Sequence, residues 1–293
     1  MLKTAAHAAT IAELARGHMD ALSPAERRVA RTLLSDYPSA GLSTAADLAR
    51  RASTSAPSVV RFATRLGLDG FSELQGRLRT ELTVRRESPA RRARSNPGRG
   101  TAAELTDQNA AHRADLITES IASVPSSEID ATVRALSDIS GAVLLAGGYF
   151  SSLIARYFGL QLSQVRPGVY YVGEPMHRDV NYLLGVGKRD VLVAFDLRRY
   201  ESDTIALAQE AKRRGCTTIV VTDEWLSPAS TYADVVLPVP TEASHFDSLV
   251  PVLSLVESLM PAVVGAIGPA AVQQMAEWEA LSNPRRRKLA DDE

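Results

Sequence analysis

Ser55, Ser58, Arg61 and Arg65 have the residue types and the helical spacing to meet DNA. Short hydroxyl side chains at a helix start let the backbone come close to the bases. Arginines along one edge of the same helix suit entry into the major groove, where a guanidinium fork pairs with base edges. Ser43 and Thr44, which open the preceding segment, complete this DNA-binding set. A second group of residues lies far along the chain. Ser151 and Ser152 stand where a helix is expected to begin, and free N–H groups with the helix dipole favour an anion there. Arg198 and Arg199 offer forks to a carboxylate or phosphate, or else pair with Asp196, Glu201 or a neighbouring subunit. Glu174 and His177 sit at another expected strand end and are candidates for the same pocket, and His245 and Asp247 follow the last strand. None of the five histidines falls in a motif that positions an acid and a base on one substrate. No catalytic residue, metal site or cofactor is therefore expected.

The first group needs two short helices joined by a tight polar turn, and residues 43–66 read that way. Ser43 is expected to cap the first helix, with Ala46, Leu48 and Ala49 facing inward. The run breaks at Ala52–Thr54, and Ser55 offers a second cap with Pro57 in the following turn. Val59, Phe62, Ala63 and Leu66 then fall at i, i+3, i+4 and i+7, one buried face, with the serines and arginines opposite. Upstream, Ser23-Pro24-Ala25-Glu26 is a capping box that opens a helix through Leu34, stopping near Tyr37-Pro38. Downstream, Gly67 and Gly70 end the second helix, and Phe71–Leu82 forms another. Residues 1–82 thus make a small all-α domain, within the size that folds alone.

At 293 residues the chain has room for two domains. Its net charge of −1 hides a division: residues 1–100 carry +8 and the remainder −9. A basic first third on an acidic remainder is expected when one part meets phosphates and the other does not. Residues 83–100 are rich in Arg, Pro, Gly and Ser, with Arg85, Arg86, Arg91, Arg92, Arg94 and Arg99, and read as a basic linker. The single cysteine, Cys216, excludes an internal disulfide framework and fits a reducing compartment. Ser248–Gly268 is apolar, yet Glu257 at its middle and two prolines favour a core or interface helix over a membrane span. With no signal-peptide pattern at the start, a cytoplasmic location is expected.

From Thr101 the pattern alternates. Helical stretches at 101–123 and 126–138 lead into the apolar run Ala142–Ala146, a helix over 151–164 and a strand at Val169–Val172. A helix near Arg178–Leu184, a strand at Val191–Phe195, a helix over 202–214 and strands at Thr218–Thr222 and Val235–Val239 follow. Continuous β-branched runs separated by helices predict a doubly wound, mainly parallel sheet. Ligands on such sheets bind beyond the carboxyl ends of the strands. Those ends are Gly147–Ser152, Gly173–His177, Asp196–Glu201 and Asp223–Ser227.

The strings LSPAERRVA, STAADLA and SAPSVVRF with LGLDGFSEL resemble the helix-turn-helix domain of RpiR-type bacterial transcriptional regulators. The strings AVLLAGGYFSSLIARYF, GKRDVLVAF, AKRRGCTTIVVTD and YADVVLPV resemble the sugar isomerase (SIS) domain that these regulators use to sense phosphosugars. The resemblance implies an α/β protein: an all-α helix-turn-helix domain over 1–82, a SIS-like effector-binding and dimerisation domain over 101–280, and a charged tail over 281–293. It implies double-stranded DNA with a two-fold symmetric operator, a homodimer or homotetramer joined through segments such as Leu249–Val264, and no membrane. An SIS-fold isomerase or phosphosugar-binding enzyme with an accessory helical domain, and a protein-binding scaffold, are the competing classes. Two departures bear on the effector. The usual G-x-G-x-S turn keeps Gly147 and Ser151 but has Tyr149 at the second glycine. The usual S-x-S-G-x-T loop reads Asp196-Leu197-Arg198-Arg199-Tyr200-Glu201. A small anion held by side-chain forks, such as a sugar acid or another carboxylate, is therefore expected in place of a cradled phosphate.

Overall fold

The computed structural model describes residues 10–85, 88–95 and 97–282 and divides into two compact units between Ser95 and Asn96. The first nine residues, Arg86, and the tail from residue 283 onward lie outside the described residues. In the first unit, capping boxes at Thr10–Glu13 and Ser23–Glu26 start helices α1 (Ile11–Gly17) and α2 (Pro24–Ser35). Helices α3 (Ser39–Leu42), α4 (Ala45–Arg51), α5 (Ala56–Arg65) and α6 (Phe71–Arg85) follow, then α7 (Pro89–Ser95). Val59, Phe62 and Ala63 of α5 close onto Leu33, Leu48, Leu74 and Leu78, all fully buried. The expected inward face of α5 is the observed one.

Three local details differ from expectation. The Ser43 hydroxyl donates back to the Ala40 carbonyl at 2.7 Å, so it closes α3. Thr44 caps α4 in its place, accepting the Asp47 N–H at 3.1 Å. Ala46 is exposed, and Leu48 and Ala49 alone face the core. Within the stretch read as a linker, α6 continues to Arg85 and residues 89–95 are helical.

The second unit begins with α8 (Ala102–Ser123) and α9 (Ser126–Ser137). Strands β1 (Val143–Gly147), β2 (Val169–Tyr171), β3 (Val191–Asp196), β4 (Thr217–Thr222) and β5 (Val235–Pro238) then form one sheet, with α10 (Ser152–Val165) and α11 (Ser202–Arg213) as crossovers. Helices α12 (Val250–Ile267) and α13 (Pro269–Ser282) complete it. All four strand pairs are parallel, in the order β2-β1-β3-β4-β5. The order reverses between β1 and β3, which opens a crevice beyond their carboxyl ends. Side chains alternate between two cores. Val143, Leu145, Val193, Phe195, Ile219 and Val221 join the core that holds α10 and α12, while Leu144, Ala146, Leu192, Ala194 and Val220 join Leu207, Ala208 and Ala211 of α11. The doubly wound sheet is as expected.

The segment expected as a helix near 178–184 is a 3-10 stretch, Val180–Leu184. Helix α12 is long and apolar enough by length and composition to cross a membrane. It lies instead against α8, α9 and α10, with Val252, Leu255, Val256, Leu259 and Val263 buried in the sheet core. The opposite side of the helix, with Glu257, Ser258, Pro261 and Ala262, is exposed.

Candidate functional site

On α5 the exposed edge is Pro57, Val60, Arg61, Thr64 and Arg65, with Ser55 and Thr44 exposed at the starts of α5 and α4. Arg61 and Arg65 lie on this edge as expected. Ser58 does not: it is 3% exposed, and its Oγ accepts a hydrogen bond from Arg61 Nη2 at 2.8 Å and lies 3.0 Å from Ser55 Oγ. The reason is angular. Ser58 precedes Val59 on the helix and shares the boundary of its buried face, so its hydroxyl orients the Arg61 guanidinium and is not presented to a base. Val60 and Thr64 were missed by sequence reasoning, although they follow Pro57 at i+3 and i+7. Arg61 and Arg65 also act together on Glu26. That carboxyl, despite its desolvation, is held below the usual range by Ser23 and by the two guanidinium groups.

Arg61→Ala is expected to reduce the discrimination between operator and random DNA by about 1–3 kcal/mol, the worth of one base-reading fork. Thermal stability should stay at the wild-type level, because the side chain is exposed. Competition anisotropy with both DNAs checks this. An unchanged ratio would make Arg61 a backbone clamp.

The second constellation surrounds the crevice of the sheet. Ser151 is 5% exposed and fully engaged: its hydroxyl donates to the Phe195 carbonyl at 2.7 Å and accepts the Gly148 N–H at 2.9 Å. It therefore ties the end of β1 to the end of β3. Ser152 is the first residue of α10, and its hydroxyl donates to the Tyr149 carbonyl at 3.1 Å. The Arg198 side chain is only 4% exposed and lies between two carboxylates, Glu242 at 3.4 Å and Asp247 at 3.5 Å. Burial alone would lower its pKa, and the carboxylates, Asp247 foremost, raise it above the ordinary value. Arg198 thus has carboxylate neighbours within the chain, other than the Asp196 and Glu201 weighed from the sequence. Arg199 is exposed, at φ +82°. Glu174 and His177 stand on an exposed loop, where Glu174 pairs with Arg178 at 3.1 Å and His177 Nε2 lies 3.2 Å from Asp203. The structure brings Ser151, Ser152 and the loop after β3 together, and leaves Glu174 and His177 on the surface.

Around Arg198 the crevice is acidic. Asp196 accepts from the Ser227 hydroxyl and from the Glu201 N–H at 3.1 Å, and Tyr200 donates to Asp223 at 2.6 Å. Burial, with help from Asp223 and Glu201, pushes the Asp196 carboxyl up to about 6. Burial and Asp223 push Glu224 up to about 8. A carboxyl whose folded pKa exceeds its unfolded value binds more protons folded than unfolded, so its contribution is present in acid and lost as pH rises through the folded pKa. The sheet domain is therefore expected to lose stability from about pH 4 to about pH 8. Glu224→Gln should flatten the upper half of that decline, as thermal melts at stepped pH would show. An identical slope in the variant would assign the loss elsewhere. Among the described residues, no group of three or more His, Cys, Asp or Glu could hold a metal ion.

Residues 9–85 match the family model described as the helix-turn-helix domain of the rpiR family, and residues 135–262 match the SIS domain. An HTH-type transcriptional regulator of Providencia stuartii is 25% identical over 218 residues, covering 73% of this chain and 74% of that protein. The sugar isomerase domain of an RpiR transcription factor from Sphaerobacter thermophilus shares the fold with a TM-score of 0.55 at 23% identity, over 60% of this chain and 98% of that one. The Vibrio vulnificus NanR protein complexed with ManNAc-6P has a TM-score of 0.52 at 19% identity, over 91% of this chain and 96% of that one. A helix-turn-helix domain followed by a SIS domain defines a DNA-binding transcriptional regulator. Residues 9–85 are thus a helix-turn-helix domain of the rpiR family, carried on the same chain as a SIS domain.

Proposed function

We propose that this regulator binds a two-fold symmetric operator as a homodimer and that a small anionic sugar derivative, held in the crevice between β1 and β3, alters that binding. The observation that carries the DNA half is the exposed Arg61–Arg65 edge of α5, with Arg61 pre-oriented by Ser58. The effector class is supported by the SIS match and by the sugar phosphate in the Vibrio vulnificus complex. The ligand is bound and released unchanged, in the cytoplasm where the operator is reached. The decisive measurement is anisotropy of the chain's own upstream DNA against random DNA, with and without a library of sugar phosphates and sugar acids. Equal affinity for both DNAs removes the regulatory reading. No response to any library member removes the sensing reading.

For the dimer, the support is an exposed apolar surface on two helices that pack together. Leu153 and Leu160 of α10, with Val272, Trp278 and Leu281 of α13, are all exposed. Trp278→Glu is expected to shift the protein toward monomer in sedimentation velocity and to weaken operator binding, because two half-sites must be held together. A variant that stays dimeric would move the contact to another face.

A further inference from the structure

The outer face of α5 is not uniformly basic. With about 3.6 residues per turn, Pro57, Val60 and Thr64 fall on one strip about 60° wide, and Arg61 and Arg65 run along one side of it. All five side chains are exposed, and the helix holds no acidic residue that would repel a phosphate. Val60 is 44% exposed, and among the side chains described in the helical unit it is the one large hydrophobic left in water. A lone exposed valine is ordinary on a protein surface, so its meaning comes from its place. Valine favours a helix less than alanine, and Val60 stands outside the helical core, so neither propensity nor burial selects it there. The Thr64 hydroxyl gives its hydrogen to the Val60 carbonyl at 3.2 Å. It therefore brings a base no free donor, and a methyl group is what the side chain has left to offer. Ser58 meanwhile holds the Arg61 guanidinium at 2.8 Å and fixes that fork beside the strip.

The major groove presents one apolar group, the 5-methyl of thymine, while guanine presents N7 and O6 to a guanidinium fork. We propose that Val60 is a specificity-determining residue of the DNA-reading helix, with the Thr64 methyl beside it, and that the group they read is the thymine 5-methyl. Each half-site then holds A·T pairs next to the base pair that meets Arg61. This rests on the reading of α5 as the helix that enters the major groove. The contact is apolar, so its share of the affinity does not fall with salt as that of the arginines does. Losing one buried methyl weakens binding about four-fold, and the two half-sites of a dimer bring the loss to about ten-fold or more.

The test uses the full chain and two versions of its own upstream duplex, one with thymine and one with uracil in place of every thymine, read by anisotropy. Uracil pairs as thymine does and keeps O4, so the exchange removes methyl groups alone. The wild type is expected to bind the uracil duplex about ten-fold more weakly, by the same factor at low and high salt. Val60→Ala keeps the helix, because the site is exposed and alanine is the best helix former. It should show a smaller ratio, and Val60→Ala/Thr64→Ser a ratio near one, with circular dichroism verifying that both are folded. Equal affinity of the wild type for the two duplexes overturns the proposal. So does a full uracil penalty in the double variant, which would trace the effect to duplex shape. Failure of the underlying reading looks different, because then the wild type binds its upstream thymine duplex no better than random DNA.

Discussion

Operator affinity is expected to fall by about 10³-fold or more between about 50 and 200 mM salt, the loss typical of a protein that neutralises six to ten phosphates. The source is the charge division. Residues 1–100 carry a net +8 while the rest of the chain carries −9, so the basic part alone is drawn to the duplex. Within it, Arg50 and Arg51 are paired with Asp47 and Asp36, at 2.6 and 2.8 Å. Exposed pairs of that kind are weak and exchange readily for phosphate oxygens. Arg61 and Arg65, on the outer edge of α5, add two further forks. A plot of log affinity against log salt measures the number of contacts. A slope near zero would remove DNA from the list of partners, whatever the sequence of the site.

Phe62→Ala is expected to cost about 3–5 kcal/mol, enough to unfold most of a small helical unit. Phe62 is fully buried in one core with Leu33, Leu48 and Leu74, so its truncation leaves a cavity among them. The sheet unit has cores of its own and should melt as in wild type. Circular dichroism should therefore show the loss of helix signal at moderate temperature with the second transition intact, and operator binding should vanish. The contrast with Arg61→Ala is the useful part. One variant abolishes binding by removing the fold, and the other alters sequence choice with the fold unchanged. If Phe62→Ala kept wild-type stability, the buried face of α5 would have been misassigned.

The strands and most helices were legible because each rests on a local period: β-branched runs of four to six residues, or apolar positions three and four apart. The cap at Ser23 was legible for the same reason. What escaped depends on neighbours distant in sequence or on a boundary of one residue. Ser58 lies on the edge between faces, and a helical repeat cannot say whether its hydroxyl meets water or Arg61. Ser43 and Thr44 are both good caps, and only the hydrogen bond from Ser43 back to Ala40 decides between them. Arg198 meets Glu242 and Asp247, more than forty residues away on the chain, so no spacing rule could find them. Glu201 did carry a signal, since an acid stands where the family pattern has a hydroxyl. Its hydrogen bond to Tyr149, across 52 residues, was beyond reach.

The order of the two units along the chain also sets an order in time. The helical unit is complete within residues 10–85, where the Ile11 N–H meets Glu81 and ties α1 to α6, whereas β1 must wait for β3, with Val143 beside Val191, across an intervening helix and strand. Local topologies fold in microseconds to milliseconds, and sheets of distant parallel strands fold more slowly. Synthesis proceeds from the amino terminus at about 5–20 residues per second, and domains fold as units as they emerge. The ribosome therefore releases a finished DNA reader several seconds before the metabolite sensor has all its strands. During that interval the nascent reader is folded but lacks any means of responding to an effector.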